Sequence, residues 1–207
     1  MPTHPGDEHT FGRARFLRAG AVAVAGSALI GVPAARAATP TPTPVGDDVA
    51  YLQFSATAEL VSISLGGEIA RNSFFPADER RRIAVLRAAA KEHYARLAAV
   101  LGGDAPQYGD FHIALPPGKR SRAALLGKAL DLGGLLAGVY LSGVSDCADP
   151  ATRGLLGRLL WSESQALSVL RTIAGRPATS AGLPGPVSLD DAGPRLDAYL
   201  TDAVPPA

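Results

Sequence analysis

The chain is short of several things, and each shortage closes off a class of proteins. One cysteine, Cys147, stands in 207 residues, so no internal disulfide can form and no Cys-x-x-Cys motif exists. Such a thiol is read as buried and inert near a helix turn, an intermolecular bridge being its other use. Aromatics make up only 6% of the chain, whereas sheets draw on aromatic and β-branched residues. Ala and Leu, the strongest helix formers, recur instead. Charge of one sign is lacking too. The formal net charge is +1 and the basic residues do not gather beside aromatics, so no nucleic-acid partner is expected. No Gly-rich phosphate loop opens a helix.

The apolar run over residues 19–32 is too short for a bilayer, which needs about 20 residues. It follows Arg13, Arg15 and Arg18 and leads to Ala35-Arg36-Ala37, a small-x-small cleavage pattern. Residues 1–37 are therefore expected to be a signal peptide, cut after Ala37. The domain would then be exported across the cytoplasmic membrane, with no transmembrane helix left after cleavage. Arg13-Ala14-Arg15-Phe16-Leu17 resembles a twin-arginine export signal, with Ala14 where the second arginine would stand. The general secretory route stays open beside it. Of 20 basic and 19 acidic residues, Arg13, Arg15, Arg18, Arg36, Asp7 and Glu8 lie in this segment, leaving 16 against 17. Residues 38–46 (ATPTPTPVG) read as an extended, disordered Thr/Pro tether.

Residues 47–207 are read as one all-α domain. Apolar residues at alternating spacings of three and four mark four helices. These are expected over about 47–71, 77–101, 120–144 and 150–174, with a short amphipathic piece over 189–203 packed outside them. Pro76 with Asp78 and Glu79, and Asp149 with Pro150, suit helix starts. Gly102-Gly103 and Gly175-Arg176-Pro177 suit helix ends. Short links make hairpins of the first and second pairs. The Pro-containing link 104–119 is expected to cross over along the bundle. A shift of 73 places Leu97 on Leu170 and Gly102 on Gly175, a weak internal repeat of two hairpins.

Three polar residues interrupt the apolar stripes at similar depth: Glu59 in the first helix, His93 in the second, Glu163 in the fourth. A buried lone carboxylate costs several kcal/mol unless paired, hydrogen-bonded or metal-bound. The three are therefore expected to meet. Ser162 and Ser164 flank Glu163, but no His lies near them in sequence, so no serine nucleophile is expected. His112 is read as a loop histidine, Tyr51 and Tyr94 as packing groups, and Arg80-Arg81-Arg82 as a solvated face.

With these residues in place, the chain resembles the exported ferritin-like domain family of bacteria over residues 47–177. That design puts one Glu on each of two helices and a Glu-x-x-His pair on each of the others. The resemblance implies an antiparallel ferritin-like four-helix bundle, with Glu59, His93 and Glu163 as surviving metal ligands and Tyr140 as an interior tyrosine. Ala90, Ala166 and Gly133 occupy the positions of the missing Glu, His and Glu. Glu92 cannot replace a ligand, lying about 100° round the helix, and Asp131 has the same difficulty. The trio is read as a buried hydrogen-bonded cluster without metal or other cofactor, in a non-catalytic structural or binding protein of the cell envelope. The alternative is a mononuclear Fe, Mn or Zn site in an oxidoreductase. A protein partner and a homodimer through a bundle face are left open.

Overall fold

A computed structural model describes residues 39–113, 121–179, 182 and 184–202. The expected signal peptide lies outside the described residues, as do residues 114–120 of the link between the second and third helices. The described chain is mostly helical. Its long helices are α1 (Asp48–Arg71), α2 (Ala77–Leu101), α3 (Arg122–Asp146) and α4 (Pro150–Ile173). A short α5 (Leu189–Asp197) follows.

Local chemistry sets these limits. Asp149 accepts from the Thr152 backbone N–H, and Pro150 sits at the first position of α4, where its missing N–H costs nothing. Ser121 accepts from the Ala124 N–H and fixes the start of α3 two residues later than the apolar spacing suggested. Gly102 ends α2 at φ 59° and Gly175 follows α4 at φ 70°. Both lie in the left-handed region that only glycine enters cheaply.

The helices pack as a bundle, with α1 against α2 and α3, and α4 against α3 and α2. Leu52, Ala56, Leu97, Leu136, Tyr140 and Leu156 are fully buried at its centre. The α1 helix is buried nearly all round, because α5 covers it as well. The α3 helix is long and apolar enough to cross a membrane by length and composition, yet 56% of its most apolar window is buried in the fold. A helix wedged between α1, α4 and α5 acquires that composition from its place in a core.

Arg122, in the first turn of α3, donates to both Glu79 oxygens at 2.9 and 2.6 Å and to the Ile173 carbonyl at 2.5 Å. The starts of α2 and α3 are thereby tied to the end of α4. At the opposite end, Asp48 accepts from the backbone N–H groups of Ala148 (2.7 Å) and Asp149 (3.0 Å). Cys147 lies buried at the end of α3. Burial, then the neighbouring Asp48, pushes its thiol up to about 12. Its burial agrees with the first reading of this thiol.

One expectation needs correction. The piece over 189–203 is helical only to Asp197. Leu200–Asp202 is a strand, β2, paired antiparallel with β1 (Phe111–Ile113) in a two-stranded ladder. Residues 39–45 of the Thr/Pro stretch have no regular structure, and its end is held. Thr43 N–H donates to Asp149 Oδ2 at 3.0 Å and Val45 N–H to Asp48 Oδ2 at 3.3 Å.

Candidate ligand site between the helices

Each of the three polar interruptions sits near the middle of its helix, so packing four helices side by side brings them to one level. Glu59 is 0% exposed, His93 6% and Glu163 8%. One ligand atom from each lies within 4.8 Å of the others. The expected meeting of the three is observed.

Glu59 carries most of the bonding. Its Oε1 lies 2.9 Å from His93 Nδ1 and accepts from the Tyr140 hydroxyl at 2.6 Å. Its Oε2 is buried and has no hydrogen-bond partner. Nor does any hydrogen bond reach the Glu163 carboxyl among the described residues. Burial, then the adjacent Glu59, pushes the Glu163 carboxyl well above its ordinary 4.5. Burial, then Glu59, likewise holds the Tyr140 phenol protonated. The cluster is thus only half satisfied: His93 and Tyr140 serve one oxygen of Glu59, and the remaining carboxyl groups are left to something else.

Gly133 shows how the carboxyl fits. A Cβ there would stand 2.7 Å from Glu163 Oε1 and 3.0 Å from Leu167 Cδ2. The missing side chain is the space that Glu163 occupies. Ala90 and Ala166 are small in the same way. All three line a cavity of about 290 Å³ together with Glu59, His93 and Glu163. The cavity walls are otherwise mainly apolar, including Ile69, Ile83, Leu86 and Val169, and they run out to the exposed Val85 and Gln165. Its mouth lies where α2 faces α4, the most loosely packed of the four long-helix pairings.

Sequence reasoning missed one partner. Ser162 Oγ lies 2.8 Å from His93 Nε2, although no His is near it in sequence. Ser164, Ser168 and Thr172 all donate to the carbonyl four residues back, whereas Ser162 turns to His93. The order Ser162–His93–Glu59 has the spacing of a hydrolytic triad. However, Ser162 sits inside a continuous helix, whose N–H groups are committed to helix hydrogen bonds. The helix interior offers no free backbone N–H beside it to serve an oxyanion. The serine is better understood as fixing the His93 ring.

The other candidates fall elsewhere. Glu92 is exposed and pairs with Arg96 at 3.7 Å, and Asp131 is exposed. His112 is an exposed residue of β1. Tyr51 is buried and donates to Asp146 at 2.7 Å, away from the trio. Tyr94 donates to the Pro106 carbonyl at 2.7 Å.

Two carboxylates and one imidazole suit a single divalent ion, and the free Glu59 Oε2 is an unused donor atom for it. Glu59, His93 and Glu163 could hold such an ion. Ala90, Gly133 and Ala166, which also line the cavity, add no donor atom to these three. Comparison with protein-family models and with curated proteins finds no match for the chain.

Proposed function

We propose that the chain is an exported ferritin-like bundle of the cell envelope that works as a binding protein, its ligand entering the bundle between α2 and α4. One observation carries this reading. The three positions where a ferritin-like di-metal site would place ligands hold Ala90, Gly133 and Ala166, and all three open onto the 290 Å³ cavity around the surviving Glu59, His93 and Glu163. At Ala90 and Ala166 a missing ligand leaves space, while at Gly133 the room is taken by Glu163. The Arg122–Glu79 pair supports the ferritin-like topology. Starts of α2 and α3 at the same end support a link that crosses over along the bundle.

A second reading has its own support. Convergence of three ligand atoms within 4.8 Å, with one oxygen of Glu59 unpartnered, favours one Fe, Mn or Zn ion. Such an ion would supply Lewis-acid or redox chemistry.

Elemental analysis of protein exported with its own signal separates the two. The binding reading expects no stoichiometric metal and an unchanged melting temperature after chelation. An ion bound to the folded state must raise it. About one Fe, Mn or Zn per chain, lost on His93→Ala, would replace the first reading with the second.

A further inference from the structure

Resting on the binding reading above, we infer that the cavity between α2 and α4 takes a primary ammonium compound with a compact apolar body, its nitrogen set between Glu59 and Glu163.

The floor of the cavity calls for a cation that donates hydrogen bonds. Glu59 is fully buried, and its Oε2 has no partner. Glu163 is 8% exposed, and no described residue bonds its carboxyl. A cation set between the two groups would let both carboxyls ionise side by side. Ser62 also lines the cavity, three residues beyond Glu59 and so on the same helix face. A primary ammonium has three N–H donors in a tetrahedral fork. Glu59, Glu163 and Ser62 present three acceptors.

The walls call for hydrocarbon. Beyond the carboxyls the cavity runs along Ile69, Ile83, Leu86 and Val169. At about 290 Å³ it is close to twice the roughly 150 Å³ apolar cavity that accommodates benzene. A hydrated metal ion would leave much of it to waters with no polar partners, and such waters need two to four. An ammonium joined to about six carbons satisfies both ends of the space.

The remaining charged group on the wall is Arg87. It is anchored through Nε to the Ile63 carbonyl at 3.0 Å. Among the described residues it forms no ion pair with Glu59 or Glu163. His93 and Tyr140 are engaged with Glu59 Oε1, which leaves Oε2 for the ligand.

The test uses hexylammonium, trimethylhexylammonium, hexanol and hexanoate as probes on the exported protein, read by calorimetry and melting temperature. Hexylammonium at ten times its dissociation constant should raise the melting temperature by roughly 3–6 °C. Trimethylhexylammonium, which cannot donate, should bind roughly tenfold or more weakly, and hexanol and hexanoate likewise. Glu59→Gln should lose at least about tenfold in affinity for hexylammonium. Ala166→Leu, which fills the cavity and keeps every charge, should abolish binding and stands in if Glu59→Gln does not fold. If hexanol or hexanoate binds as well as hexylammonium, the ammonium inference falls while the binding reading stands. If Mn²⁺ or Zn²⁺ binds stoichiometrically at these carboxyls and hexylammonium does not, the metal reading replaces both. If no probe binds at all, both fall together.

Discussion

Asp48 shows how one side chain joins distant parts of the chain. Its carboxylate accepts backbone N–H groups from Val45, Ala148 and Asp149, closing the turn between α3 and α4 onto the start of α1. Burial pushes its pKa up, but these hydrogen bonds outweigh it and hold the group below its ordinary 3.8. A depressed carboxyl contributes stability that is complete above the unfolded value and is lost as pH falls through the folded one. Asp48→Asn turns an NH₂ group toward backbone donors and should cost about 1–3 kcal/mol at pH 7. Denaturant titrations at pH 7 and at about pH 3 should show a large gap between wild type and variant at the first and a smaller one at the second. An equal gap at both would mean that the carboxylate charge contributes nothing.

At the scale of elements, glycine sets how closely segments approach α3. Gly138 accepts at its carbonyl from the Val187 N–H at 3.1 Å. A Cβ there would stand 2.5 Å from Val187 Cγ2 and 2.9 Å from the Gly185 carbonyl oxygen. The backbone carbonyl cannot step aside as a side chain can, so Gly138→Val should lift the segment that leads into α5. The expected loss is about 1–3 kcal/mol. Hydrogen exchange should rise over residues 185–197 and stay unchanged in α4. Unchanged exchange in that segment would mean that it is held by α5 alone.

For the whole molecule, the C-terminal segment is part of the core. Ala192 is 0% exposed, Leu196 4% and Tyr199 8%, and all three join the main apolar cluster. Ending the chain at Val187 removes them, uncovers faces of α1 and α3, and leaves β1 without its partner. The loss of these buried side chains should be about 3–6 kcal/mol, a fall in melting temperature of roughly 10 °C or more. Circular dichroism should retain the long helices in a single, earlier transition. A melting temperature within about 2 °C of the full chain would show that α5 packs only on the surface.

Much of this was written locally. Apolar spacing placed α2 at Ala77–Leu101, and Asp149-Pro150, Gly102 and Gly175 marked helix ends, because capping and helix propensity act over a few neighbouring residues. The same spacing put Glu59, His93 and Glu163 on inward faces at one depth, and burial cost then required them to meet. Contacts between segments far apart in sequence were decided only by the tertiary structure. The β1–β2 pairing joins Phe111–Ile113 to Leu200–Asp202, and three-residue strands carry no periodic signal long enough to read. Ser162 reaches His93 across 69 positions, which no local rule can foresee. The cavity belongs to the same class. Ala90, Gly133 and Ala166 are visible as small residues in the sequence, but an absence becomes a volume only when several helices set their absences against one another.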